Sequence, residues 1–101
     1  KQLIIVGAGG FGREMLDWAR QAEDHGRAWV VAGFLDDNPR ALDGHAADVP
    51  VLGPVATHEP APDEVFACAL GNVAAKRRCV AALRGRGGVF VRVIHRTAVV
   101  S

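Results

Sequence analysis

Leu3-Ile4-Ile5-Val6-Gly7-Ala8-Gly9-Gly10-Phe11-Gly12 is the stretch that decides the fold. Residues 2–6 form a short, almost continuously apolar run, as a strand covered on both faces requires. The glycine turn follows at once, and then Phe11, Met15, Trp18, Ala19 and Ala22 recur along one helical face. Arg13, Glu14, Asp17 and Arg20 take much of the remainder, and His25-Gly26 is the expected helix end. Residues 29–35 are the next apolar strand, ending sharply at Asp36-Asp37-Asn38-Pro39. Strand, glycine turn, helix and strand in this order make one βαβ unit with parallel strands and a right-handed crossover.

Residues 40–62 are rich in Ala, Gly, Pro and Asp and are the least legible part of the chain. A short third strand is expected at residues 49–52 and one helical turn at residues 55–58. Residues 65–70 read as a buried strand, and Gly71-Asn72 leads into a helix over residues 73–83, with Asn72 a suitable N-cap. Val73, Val80 and Leu83 are expected inward, and Arg77, Arg78 and Arg84 outward. Lys76 falls between Val73 and Val80, close to the apolar stripe but one turn from the helix start, so its stem can cover the core while its charge emerges. Gly85-Arg86-Gly87-Gly88 breaks the helix, and residues 89–94 read as a final strand. The expected fold is therefore α/β and Rossmann-like, a mostly parallel sheet of about five strands flanked by helices. Its domain spans residues 1–94. The apolar run Ala98-Val99-Val100 beyond it suggests that residues 95–101 lead into something else or pack on a partner.

In Gly7-x-Gly9-x-x-Gly12, Gly7 permits the tight exit from the strand, Gly9 lets backbone approach a phosphate, and Gly12 permits close helix-sheet packing. Unpaired N–H groups of the first helical turn supply donors, and the aligned peptide dipoles supply positive potential. A turn that keeps this shape without a ligand is the competing reading. Asp36, 24 residues after Gly12, stands where such a domain presents a carboxylate to ribose hydroxyls; capping the turn is its alternative role. Asp37 either aims into the same cleft or caps Asn38-Pro39. Gly71 faces the cleft from the other strand, although glycine at a strand-helix junction needs no ligand to explain it. Phe11 packs beneath the helix or closes over the ligand.

The 101 residues, 50% hydrophobic, suffice for one domain with a core and not for a two-domain enzyme. Arginine and lysine number five against eleven acids in residues 1–64, then seven against none in residues 65–101. The plain reading is a solvated basic helix face; the sharper ones are a docking surface or a field that attracts a phosphorylated ligand. Nucleic acid fits poorly, because the chain has no Tyr and no series of aromatic residues interleaves the basic cluster. No run approaches the about 18 apolar residues of a membrane span and no signal-peptide layout precedes the first strand, so the expected location is cytoplasmic. Cys68 and Cys79 are expected as buried thiols, and His25, His45, His58 and His95 are scattered without metal-ligand spacing. Ser101 is the only serine, and no Gly-x-x-x-x-Gly-Lys-Ser/Thr loop occurs. Neither a hydroxyl nucleophile with its base nor nucleotide hydrolysis is legible. No catalytic residue is assigned.

Taken together, residues 3–14 with Gly33-Phe34-Leu35-Asp36-Asp37-Asn38-Pro39, Val51-Leu52-Gly53, Ala69-Leu70-Gly71-Asn72 and residues 93–101, Val93-Ile94-His95-Arg96-Thr97-Ala98-Val99-Val100-Ser101, resemble the N-terminal domain of the sialic acid O-acetyltransferase and UDP-amino-sugar N-acetyltransferase family. The resemblance covers the whole chain. It implies a left-handed β-helix domain of hexapeptide repeats after residue 101, with residues 95–101 as linker or its start, and a homotrimer when intact. It further implies that the small domain holds a UDP-sugar or related nucleotide-sugar and no cofactor of its own, while acetyl-CoA, as co-substrate, and the catalytic histidine belong to the β-helix. Carried over by position, Gly9, Gly10 and Phe11 fall near the diphosphate, Asp36 and Asp37 at the nucleoside side, and Gly71 on the opposite rim. Lys76 falls where relatives often have Arg. This chain departs from the pattern at Arg96, where relatives commonly carry Pro, and at Gly9-Gly10-Phe11-Gly12, where a Ser-Gly-His-Gly turn supplies polar contacts.

The leading expectation is thus the nucleotide-sugar-binding portion of an acetyl-CoA-dependent sugar O- or N-acetyltransferase, inactive alone. Two alternatives stand beside it: an NAD-binding domain of an oxidoreductase or redox sensor, and a non-enzymatic docking or regulatory domain using the basic surface of residues 76–96.

Overall fold

The computed structural model describes residues 1–21, 29–45 and 47–93. The elements run β1 (Gln2–Val6), α1 (Gly10–Gln21), β2 (Val30–Leu35), β3 (Val51–Gly53), a 3-10 turn (Val55–Thr57), β4 (Glu64–Cys68) and α2 (Val73–Gly85). The strands form one sheet in the order β3-β2-β1-β4, and every pair is parallel.

Alternation along β1 divides the core. Leu3 and Ile5 join Val65, Ala67, Met15, Leu16 and Ala19 on the α1 side. Ile4 and Val6 join Phe66, Leu35, Val55 and the α2 residue Leu83 on the other. A strand buried on both faces has no polar side to present, so its apolar run is continuous. In α1 the buried residues are Gly12, Met15, Leu16 and Ala19, the three- and four-residue spacing of a single helix face. Full burial of each large apolar side chain contributes about 1.5–3 kcal/mol; Phe34, Phe66, Leu3 and Ile4 are among those completely enclosed.

One irregularity sets the phase of β2. Leu3 pairs with Val31 but Ile4 pairs with Gly33, which leaves Ala32 as an extra residue in the ladder. The bulge puts Val31 and Phe34 on the same face although they are three residues apart.

Four expectations from the sequence change. The fifth strand is reduced to one rung, in which the Phe66 amide donates to Val89 O at 2.9 Å and the Val91 amide to Phe66 O at 2.8 Å. A segment paired on one side only has half the ladder bonds of a central strand, and among the described residues the pairing stops there. Val73 is 63% exposed rather than inward, and Leu83 is the buried residue of α2, because that helix rests on the sheet by its C-terminal turns. Cys68 and Cys79 are free and half-buried rather than buried. Phe11, placed with the inward stripe by spacing, is 45% exposed and meets Trp18 edge-on, ring centroids 5.7 Å apart. The expected helix end at His25-Gly26, Ala22 on its apolar face, and every reading of residues 94–101 lie outside the described residues.

Candidate functional site

The sheet order reverses direction at β1, the place where open parallel sheets carry a ligand crevice. From β1 the chain passes through α1 to β2 on one side, whereas β4 lies against the other edge of β1 and leads into α2. Ligands of open parallel sheets bind outside the carboxyl ends of strands at such a reversal. Val6 and Cys68 are register partners, and the Ala69 amide continues the ladder by donating to Val6 O at 2.9 Å. The glycine turn and the Ala69-Leu70-Gly71-Asn72 exit are therefore neighbours, as parallel strands demand.

Each glycine of the turn has its own physical reason. Gly7 adopts φ +100° beside the Leu70 side chain, where a Cβ would come within 2.9 Å of Leu70 Cδ2. Gly12 lies directly against the Gly7 carbonyl, and a Cβ there would collide with that oxygen. The fold alone thus accounts for both. At Gly9 and Gly71 a Cβ would meet nothing within 4 Å, and at Gly10 only the far end of the Arg13 side chain. These three are exposed after the carboxyl ends of β1 and β4, and protein packing does not require them to be glycine.

The first helical hydrogen bond of α1 runs from the Arg13 amide to Gly9 O at 3.0 Å. The amides of Gly10, Phe11 and Gly12 lie ahead of it, the donors that a helix start leaves for an anion. Arg13 Nη1 donates back to Ala8 O at 3.3 Å, holding a guanidinium beside the turn. The second helix start is capped within the chain: Asn72 Oδ1 accepts the Ala75 amide at 2.9 Å, as its sequence position predicts.

Asp36 is tied into the turn. Its Oδ2 accepts the Ala8 amide at 2.9 Å and its Oδ1 accepts the Asn38 amide at 2.9 Å. Backbone bonds fix the same junction: the Gly7 amide donates to Leu35 O at 2.7 Å, and the Asp36 amide to Gly53 O at 3.0 Å. Asp36 therefore performs the capping role that its position allowed. A carboxylate oxygen accepts a second hydrogen bond, so this role and a ribose contact are compatible. Asp37 is exposed, and Asn38 rather than Asp37 organises the following turn, with its Oδ1 accepting the Arg40 amide at 3.0 Å. The Ala8 amide and Arg13 went unnoticed in the sequence, because neither has a motif signal.

On the α2 side, the Cys79 thiol is pushed up from its ordinary range by burial first, with Cys68 and Asp37 adding to the effect. A thiol so held is a poor nucleophile. His58, unpartnered in the sequence reading, pairs through Nε2 with Glu64 Oε1 at 2.9 Å. Glu64 begins β4, so this pair stands at the end of the sheet opposite the glycine turn. Among the described residues no group of three or more His, Cys, Asp or Glu side chains is placed to hold a metal ion. No helix there is long and apolar enough to cross a membrane.

The family model described as the PglD N-terminal domain matches residues 2–83, the whole of the sheet and most of α2. A comparison with curated proteins gave no match.

Proposed function

The chain belongs to the family of N-terminal domains of PglD-type sugar acetyltransferases, and we propose that it is the part that binds the nucleotide-sugar acceptor. The observation that carries this reading is the division among the glycines: Gly7 and Gly12 are demanded by packing, whereas Gly9, Gly10 and Gly71 are open around the crevice. In this reading a diphosphate approaches Gly9 and Gly10 and accepts from the amides at the start of α1. Phe11, 45% exposed, flanks it. Asp36 accepts a ribose hydroxyl while keeping the Ala8 amide, Asp37 lines the nucleoside side, and Gly71 leaves the opposite rim free.

The acetyl-transfer chemistry then belongs elsewhere in the intact protein, with acetyl-CoA as co-substrate on a hexapeptide-repeat β-helix in a cytoplasmic homotrimer. A histidine there removes the proton from a sugar amine or hydroxyl as that atom attacks the thioester. The chain described here contributes orientation and effective concentration.

Calorimetry with UDP, a UDP-sugar and NAD tests the assignment. Heat with UDP and the UDP-sugar but not NAD is the expected result. NAD-selective heat supports an oxidoreductase domain, and no heat with any of the three supports a docking domain.

A further inference from the structure

A second concave surface lies on the outer edge of β4, the edge that does not face β1. Beyond the single rung between Phe66 and Phe90, no further ladder bond joins β4 to the segment after α2 among the described residues. Between them and α2 is a notch of about 490 Å³. Val80, Phe90 and Val93 contribute apolar surface, Met15 of α1 and Cys68 at the carboxyl end of β4 close it on the side nearest the glycine turn, and Lys76, Arg84 and Arg92 bring three cations to the same lining. Among the described residues none of these cations makes an ion pair, and residues 65–101 contain no acid at all. The Arg84 guanidinium is held over the Phe90 ring, 5.5 Å from its centroid. Like charges gathered around one apolar hollow repel one another, and an anion seated among them reverses that cost.

We propose that this notch binds a small phosphorylated organic molecule, adjoining the glycine turn but occupied independently of it. The volume is that of a small-molecule site. The apolar surface accepts the organic body, and the cations accept the phosphate through charge-assisted hydrogen bonds. A peptide strand added to β4 would have to displace residues 91–93, where Val91 is hydrogen-bonded to Phe66 and Val93 is buried. A nucleic acid strand finds no free stacking platform, because Arg84 covers the ring that the notch contains.

The test follows the guanidinium Nε–H signals of Arg84 and Arg92 by NMR as the 101-residue chain is titrated with phenyl phosphate and with inorganic phosphate. Both signals are expected to shift, with phenyl phosphate binding several-fold more tightly, and the response is expected to persist when UDP is in excess. In the Lys76→Gln/Arg92→Gln variant the Arg84 response should weaken about tenfold. Absence of any shift at millimolar probe, equal affinity for the two probes, an unchanged response in the double variant, or loss of the response on adding UDP would each overturn the proposal. Signals from residues 9–12, read in the same spectra, report the glycine turn independently, so failure at one site is distinguishable from failure at the other.

Discussion

The Ala8 amide donates to Asp36 Oδ2 across 2.9 Å, joining the glycine turn after β1 to the end of β2. The same carboxylate accepts the Asn38 amide, so one side chain fixes two turns at the mouth of the crevice. Replacement of Asp36 by Ala leaves both amides without that acceptor. The expected cost is about 1–2 kcal/mol of stability, read by chemical denaturation, together with at least about tenfold weaker nucleotide binding for one lost charge-assisted contact at fixed temperature. A D36A chain with wild-type stability would show that the clasp is energetically idle.

The glycines separate folding from binding. Gly12→Ala drives a Cβ into the Gly7 carbonyl and should cost about 3 kcal/mol or more, as overpacking against unyielding backbone does. Gly9→Ala meets no protein atom within 4 Å and should cost less than about 1 kcal/mol, yet abolish measurable UDP binding. Equal losses of stability in the two variants would remove the distinction on which the proposed function rests.

At the opposite end of the sheet, Glu64 Oε1 accepts from the Ala61 amide at 3.0 Å and meets His58 Nε2 at 2.9 Å. Arg86 closes the same loop by donating to Val55 O and His58 O. Glu64→Ala should therefore lower stability by about 1–3 kcal/mol and leave nucleotide affinity unchanged. Weakened binding in the folded variant would mean that the two ends of the sheet are coupled.

Arg20 grips Asp48 with two nitrogens, at 2.7 and 2.6 Å. The hydrogen bond from Arg20 holds the Asp48 carboxyl below its usual range, with the guanidinium charge assisting. A carboxyl lowered on folding contributes stability above its unfolded pKa, and that contribution is lost as pH falls through the lower folded value. The pair is exposed, so its effect should be small and should fade with added salt. A carbon-detected NMR titration should place the Asp48 midpoint below that of an unpaired aspartate; a midpoint at or above the unpaired value contradicts the pairing.

The βαβ core was legible because its signals are local and redundant: an apolar run over β1, glycine spacing, and apolar periodicity at Met15 and Ala19. Asn72 announced the start of α2 by residue type alone. What the sequence could not convey depends on distant chain. Val73 has the right spacing to face inward, but α2 meets the sheet in its second half, through Cys79 and Leu83. Residues 89–93 have strand composition, yet an edge position yields one rung. The candidate crevice was readable from Gly9, Gly71 and Asp36, whereas the clasp on the Ala8 amide involves a backbone group that no motif marks. His58 and Glu64 are six residues apart with two prolines between them, and only the folded loop makes them partners.

The most direct test of nucleotide-sugar binding is a two-dimensional amide NMR titration of the chain with a UDP-sugar. Saturable shifts are expected at Gly9, Gly10, Phe11, Asp36, Asp37 and Gly71, with little change around His58 and Glu64. A spectrum in which those six amides stay unmoved at saturating ligand, or move only with NAD, would contradict it.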